Sequence, residues 1–366
     1  MSGPRGVIDL DHNAGSPLRP EARTAMLEAL DAGGNPSSVH GRGRAAKRAL
    51  ERTREGLAVQ LGTTAANIVF TAGGTEANAM ALHGRRVLAS AVEHPAVLAQ
   101  PGLVAARLPV DEAGRVRPAE LSALLAATGA DTVAVMAANN ETGVIQPLAE
   151  LRAQLPPDVR LHVDAVQAPG RLDLAELVAL ADSLALSSHK VGGPPGVGAL
   201  VVRDDRGFAA LIRGGGQERG RRGGTENVPA VVGFGAAMAA LDGSEGERLR
   251  RLRDRLEAGL LNLDAGLSIV AADAPRLANT VAVAVPGMAA ATLVMALDLA
   301  GVAVSSGAAC SSGKVGSSHV LAAMGLTDDI RTSTVRLSLG WSSRAGDVDA
   351  ALRAFGAVLG RRRAAA

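Results

Sequence analysis

The sequence predicts an α/β protein with a large first domain and a smaller α+β second domain. Short apolar runs alternate with stretches of helical periodicity through most of the chain, the pattern of a sheet flanked by helices. Composition shifts at Asp242-Gly243-Ser244-Glu245, and an Arg-rich amphipathic stretch comes next. A chain of 366 residues, 47% of them hydrophobic, can bury a large core and build two domains. The expected division is 12–242 for the large domain, with 1–11 and 243–366 forming the small one.

In chain order, residues 8–11 read as a short strand leading to the turn-like His12-Asn13-Ala14-Gly15-Ser16-Pro17. Residues 20–30 have helical periodicity. The loop Gly33-Gly34-Asn35-Pro36-Ser37-Ser38 follows, and Ser38 is expected to cap a helix running to about Leu61. His40, Arg42 and Arg44 read as its solvated start. Asn35 fits turn chemistry and also ligand contact. A strand over 67–71, the turn Ala72-Gly73-Gly74-Thr75-Glu76 and a helix over 77–83 come next. Strand, Gly-Gly-Thr turn and helix together present backbone N–H groups to a phosphate, and a simple capped turn would read the same way. The spacing is neither a P-loop nor a dinucleotide fingerprint.

A strand over 87–90 runs into Val92-Glu93-His94-Pro95, where His94 is placed to stack on a ring or move protons, unless it is only a loop histidine. A buried strand over 132–136 leads to Ala138-Asn139-Asn140-Glu141-Thr142-Gly143, and Asn140 there suits turn formation or a ligand contact. Residues 213–229, RGGGQERGRRGGTENVP, look too rich in Gly and Arg to pack as core, so an exposed loop or an anion-binding loop crossing to a partner subunit is expected. Helices over 229–241, 247–261 and 289–300 and strands over 267–271, 279–285 and 302–304 complete the pattern, with no internal repeat.

The formal charge of +2 argues against a dedicated nucleic-acid binder, and Arg361-Arg362-Arg363 reads as a solvated helix end. No apolar signal region follows Met1, and no run is long enough to span a membrane, so a cytoplasmic protein is expected. One cysteine excludes an intrachain disulfide and a Cys-cluster metal site. With no Tyr, one Trp and four Phe, a planar ligand would have to find a histidine as its flat partner.

The candidate chemistry centres on 161–190, LHVDAVQAPGRLDLAELVALADSLALSSHK. One apolar run ends in Asp164, the next in Ser187-Ser188-His189-Lys190, with a helical crossover between them. Adjacent strand ends would therefore carry a carboxylate and a lysine where open α/β sheets bind ligands. Of 38 basic residues only Lys47, Lys190 and Lys314 are lysines. An arginine cannot form an imine, and only Lys190 follows a buried-looking strand, where desolvation favours nucleophilicity. An Asp to pair with a pyridinium and a Lys to form a Schiff base are the minimum kit for pyridoxal phosphate (PLP).

Cys310, the sole cysteine, lies in a Ser/Gly loop rather than an apolar run, which favours a reactive thiol over a small buried hydrophobe. A helix over 317–324 and a strand over 334–339 come after it. Arg336 lies among apolar neighbours in that strand and needs a partner, for which a substrate carboxylate would serve.

Taken together, FTAGGTEANAMALHG, EHPAVL, NNETGVIQPL, HVDAVQAPG, SSHKVGGPPGVGAL, GGGQERGRRGGT, VSSGAACSS and VRLSLG, in this order, resemble the cysteine desulfurases of the class V aminotransferase group, in the branch with a long cysteine loop. The resemblance covers nearly the whole chain. It implies the fold type I of PLP-dependent transferases, with a mainly parallel seven-stranded sheet. It implies that Lys190 holds PLP, Asp164 pairs with the pyridine nitrogen, Gln167 lies near the phenolic oxygen and His94 stacks on the ring and transfers protons. Thr75, Ser187 and His189 would bind the phosphate with the Gly74 turn, and Thr225 would reach the phosphate of the other subunit of a homodimer. Asn140 and Arg336, with Asn35 nearby, would hold the carboxylate of L-cysteine. Cys310 would take the sulfur as a persulfide, releasing alanine, and pass it to an acceptor such as an iron–sulfur scaffold. Gly316-Ser317 stands where the family has Glu-Pro, Ala14-Gly15-Ser16 where two threonines are common, and the ending at Ala366 lacks a longer docking segment. An aminotransferase, a selenocysteine lyase or a silent sulfur-relay subunit on the same fold are the alternatives: substituting Cys310 separates the first, a weak response to L-cysteine the second, and the lack of a yellow aldimine colour the third.

Overall fold

The computed structural model describes residues 6–306 and 318–365. Cys310, Lys314 and Gly316-Ser317 lie outside the described residues. Strand β1 (Ile8–Asp9) opens the chain. The next seven strands are β2 (Ile68–Thr71), β3 (Val87–Ser90), β4 (Leu103–Leu108), β5 (Thr132–Ala134), β6 (Arg160–Asp164), β7 (Ser183–Ser187) and β8 (Gly198–Val202). They form one sheet in the order β2-β8-β7-β6-β5-β3-β4, in which β8 alone runs against the rest. Strands β2, β3, β5, β7 and β8 bury nearly every residue, as strands covered by helices on both faces must.

Helices α1 (Pro20–Ala32) and α2 (Gly41–Gln60) precede the sheet, and α3 (Gly74–Leu82) follows β2 and lies against β6, β7 and β8. The parallel crossovers run through α4 (Pro95–Leu98), α5 (Leu121–Thr128), α6 (Leu148–Gln154) and α7 (Leu174–Leu180). Asp173 caps α7, its carboxylate accepting from the N–H groups of Ala175 and Glu176. Helix α8 (Val228–Ala239) packs on α1 and α2. From β3 the chain steps outward to β4, then returns to place β5 on the other side of β3. The loops after β3 and β5 therefore diverge, opening a crevice at the carboxyl ends of the strands.

The remaining elements are α9 (Glu245–Leu263), β9 (Ser268–Ile269), β10 (Thr280–Ala284), α10 (Ala290–Leu299), β11 (Val302–Ala303), β12 (Ser305–Ser306), α11 (His319–Ala323), α12 (Asp328–Ser333), β13 (Thr334–Ser338) and α13 (Ala345–Ala365). A four-stranded antiparallel sheet has the order β12-β13-β10-β9, and β1 pairs in parallel with β11. Its core gathers Leu10, Leu256, Leu260, Leu293, Leu297, Val335, Leu337 and Phe355. Helix α11 turns the other way: Val320, Leu321 and Met324 join the core of the large sheet.

Three local expectations change. Helix α2 is capped by His40, whose Nδ1 accepts from the Gly43 N–H, and not by Ser38. Ser38 is still inside the preceding turn, its own N–H donating to the Asn35 carbonyl. Strand β4 carries the unpatterned Val104-Ala105-Ala106-Arg107, which gives neither a period of two nor a solid apolar run. The Gly/Arg-rich 213–229 loop is pinned inward at Glu218. That buried carboxylate accepts two bonds from Arg54, at 2.7 and 2.8 Å, and one from the Phe70 N–H. Arg54 also stacks on the Phe70 ring. Both Glu218 and Arg219 hold left-handed backbone (φ 50° and 58°), a conformation sustained only where the surroundings over-determine it.

Glu218→Ala removes the paired carboxylate from the buried Arg54 guanidinium, leaving it only the half-buried Glu51 and the Ile68 carbonyl, so it is expected to destabilise the fold by about 3–5 kcal/mol. Urea unfolding measures this, and a loss well below that range would mean that the loop is not pinned at Glu218.

Candidate active site

Four strand ends converge on one cavity of about 250 Å³. His94 comes from the loop after β3, Asn140 from the loop after β5, Asp164 from the end of β6, and Lys190 from a turn of 3₁₀ helix just beyond β7. Gly74 and Thr75 at the start of α3 line it too, as do Gln167, Ser187 and His189. The order of the strands alone brings together groups separated by about a hundred residues of sequence.

Asp164 is buried at the cavity floor, and its orientation is fixed by a chain of polar groups. Its Oδ1 accepts from the Val166 N–H at 3.1 Å, and its Oδ2 accepts from Asn78 Nδ2 at 2.7 Å. Because the Asn78 nitrogen faces a carboxylate, its Oδ1 must face His162 Nε2, 2.8 Å away. His162 Nε2 therefore carries the proton, and its Nδ1 accepts from the Ser183 hydroxyl at 2.8 Å. Burial pulls His162 down to about 4, so the ring is neutral and keeps that tautomer. Burial pushes Asp164 up, opposed by the Val166 and Asn78 donors and by the Lys190 charge.

His94 caps α4, its Nδ1 accepting from the Ala96 N–H at 3.0 Å. The ring is held below its ordinary range by burial, with Asp164 opposing, so at neutral pH it is neutral with its proton on Nε2. His189 falls to about 4 through burial and the neighbouring Lys190 charge. Lys190 Nζ donates to the Asn13 carbonyl at 2.6 Å and the Ala14 carbonyl at 3.0 Å. The Asn13 carbonyl also accepts from Gln167 Nε2 at 3.0 Å, so one backbone oxygen from the N-terminal turn gathers two cavity side chains.

The α3 end is shaped for a bulky anion. The first N–H groups of a helix lack intrahelical acceptors, and the residue before them, Gly73, has φ 152°. A side-chain carbon at Gly74 would sit 2.7 Å from Val166 Cγ1, so glycine is required there. At the other end, buried Arg336 donates from Nη2 to Asp11 at 2.6 Å and from Nη1 to the Asn140 carbonyl at 3.0 Å. Its Nε has no partner among the described residues. The segment carrying Cys310 is flanked by residues anchored at this end. Ser305 pairs with Arg336 across β12 and β13, and Ser318 donates to Glu141 Oε2. His319 Nε2 bonds the Glu93 carbonyl at 2.9 Å.

Two of the expected site residues do not line this cavity: Asn35, expected near the substrate, and Thr225, expected to reach the phosphate of a second copy. Asn35 is exposed, its Oδ1 accepting from the Ser37 N–H in a local turn. Thr225 lines a separate depression with Thr71, Ala72 and Arg222. Asn78, Asn13 and Glu141 join the site without having stood out in the sequence. A buried asparagine inside helix α3, four residues after Gly74, was the available signal for the first.

A buried Asp and a half-buried Lys lining one cavity, a neutral histidine on its wall and a glycine-lined helix start fit a phosphorylated pyridine aldehyde. A family model described as aminotransferase class-V matches residues 8–351. A cysteine desulfurase of Cereibacter sphaeroides is 42% identical over 98% of this chain and 97% of its own length. The chain belongs to the cysteine desulfurases of the class V aminotransferase family. An IscS-like cysteine desulfurase of Mycobacterium tuberculosis is 41% identical, covering 97% of both chains. Among solved structures, a NifS-like protein from Rickettsia africae matches with TM-score 0.88 and 31% identity over 96% of this chain and 99% of its own. A structure described as SspA in complex with cysteine matches with TM-score 0.79 and 28% identity, over 90% and 98%.

Glu93, beside His94, is fully buried and pushed up to about 8 by burial, against donors from Ser90 and the Met136 N–H. Unfolded, it titrates near 4.5. Between these values the folded chain keeps a proton that the unfolded chain has released, so stability falls as pH rises through that window. Glu93→Gln is expected to remove this slope, gaining a few kcal/mol on the wild type between pH 5 and 8. Urea unfolding across that range tests it, and parallel profiles would show that Glu93 does not titrate there.

Proposed function

We propose that this enzyme converts L-cysteine to L-alanine, taking the sulfur onto Cys310 as a persulfide for transfer to an acceptor protein. The convergence of Lys190 and Asp164 on one cavity, beside the anchored flanks of the Cys310 segment, carries the reading. PLP held through Lys190 would supply an electron sink that lets the carbon–sulfur bond of cysteine break.

The residues of the chain do the rest. Asp164, oriented by Asn78 and Val166, presents a carboxylate to a ring nitrogen and keeps it protonated. The N–H groups at the start of α3, with Thr75, Ser187 and His189, hold the phosphate. His94 has Nδ1 committed to Ala96, so Nε2 is the nitrogen left to exchange a proton at the substrate while the ring packs on the cofactor face. Arg336 and Asn140 hold the substrate carboxylate, the guanidinium already aligned by Asp11. The Cys310 thiolate bonds to the substrate sulfur as the carbon–sulfur bond breaks. The electron pair stays with the carbon skeleton, which takes up a proton and leaves as alanine. Thr225, set apart from this chain's own cavity, suits a contact to the phosphate of a second copy in a homodimer.

Alanine and sulfide measured together, with L-cysteine and a reductant, test the reading. Cys310→Ala is expected to bind L-cysteine yet lose sulfide release by about a hundredfold or more. Lys190→Ala is expected to lose the visible colour of bound PLP, which Cys310→Ala keeps. Sulfide release by Cys310→Ala at the wild-type rate would overturn the assignment, and alanine formation from another amino donor without Cys310 would favour an aminotransferase.

A further inference from the structure

Arg171 lies one side chain behind the cavity. Its Nη1 donates to Gln167 Oε1, and to Asn13 Oδ1 at 3.1 Å. It does not line the cavity, whereas Gln167 does. The nearby carboxylates are engaged by other arginines: Glu245 by Arg19 at 2.8 Å, and Asp11 by Arg336 at 2.6 Å. Burial and the Arg336 charge pull the Arg171 guanidinium down and Glu245 pulls it up, leaving it at about 10, charged at neutral pH.

The chemistry of its partners leaves one orientation for the Gln167 amide. A guanidinium only donates, so the atom it meets is the oxygen. The Asn13 carbonyl only accepts, so the atom that meets it, at 3.0 Å, is the nitrogen. One Nε2 hydrogen is spent on Asn13, and the other is left for the contents of the cavity. A cation bonded to the amide oxygen polarises the amide and strengthens that donor. Besides Lys190, which lines the cavity, Arg171 is the cation bonded to the Gln167 amide oxygen, so it supplies positive charge on the Gln167 side of the cavity.

We propose that Arg171 is a positioning residue for the cofactor: it locks Gln167 as a donor and relays its charge through that amide to the phenolic oxygen of PLP. This rests on the reading of the cavity as a PLP site. A donor and a positive charge facing an anionic oxygen weaken its hold on a proton, so their loss raises the pH at which the bound cofactor changes colour.

The test is a pH titration of the visible absorption band of the full-length protein loaded with PLP. Arg171→Met is expected to raise the midpoint by about one pH unit, a tenfold change in proton affinity, and Arg171→Lys to recover part of it. In a Gln167→Leu background, Arg171→Met should add no further shift. An unmoved midpoint in Arg171→Met, or an equal shift with Gln167 already removed, overturns the proposal. If Arg171→Met does not fold, Arg171→Gln, which keeps donors without charge, takes its place: an upward shift supports the relay and an unmoved midpoint overturns it. A wild-type protein that takes up no PLP would overturn the cofactor reading itself, an outcome distinct from a coloured wild type with an insensitive Arg171 variant.

Discussion

A carboxylate at the inner end of a buried strand is the constraint on which the site depends. Asp164 sits where an isolated charge would be neutralised. What holds it is a relay with one orientation at every joint: Ser183 hydroxyl, His162, Asn78, Asp164. Each member is buried or nearly so, and each polar atom in the relay has a partner, which is the condition for such a network to specify a structure and not weaken it. The relay ties β6, β7 and α3 together behind the cavity, so the start of α3 and the Asp164 carboxylate are fixed relative to one another.

A second set of contacts joins the two sheets at the opposite end of the cavity. Asn13 is its centre. Its carbonyl gathers Lys190 and Gln167, while its side chain bonds the Asn140 carbonyl, Thr280, Asn279 and Arg171. Arg336 on β13 reaches across to Asp11 and the Asn140 carbonyl. The N-terminal turn thus acts as a splice: β1 pairs with β11 apart from the large sheet, yet the Asn13 carbonyl just after it bonds Lys190 and Gln167 of the cavity.

The 213–229 loop is exposed over much of its length, as its composition predicts, yet it is pinned at a buried charge that composition does not reveal. Gly and Arg in such density cannot form an apolar core, but a buried position can also be filled by charges that satisfy one another. Glu218 meets the two-pronged Arg54 and a backbone N–H, and Arg222 meets Glu76 one residue past Thr75. No sequence pattern links positions 54 and 218. Asn35 gives the complementary lesson: a Gly/Pro-flanked asparagine has a cheap local use, and in this chain it takes it.

By itself the sequence determined the features that local rules and ordered motifs dictate. The alternation of apolar runs and helical periods carried the α/β class, since burial on a sheet or a helix imposes its own period. The scarcity of lysine singled out Lys190, since only an amine forms an imine, and the run of motifs pointed to the family. Tertiary structure alone decided the pairings made by folding over long separations: Asn78 with Asp164, Asn13 with Lys190 and Gln167, Arg336 with Asp11, and the His40 cap in place of Ser38. These depend on directions of single hydrogen bonds, and an amino-acid string states which groups can donate or accept but not which of them the fold turns to face each other.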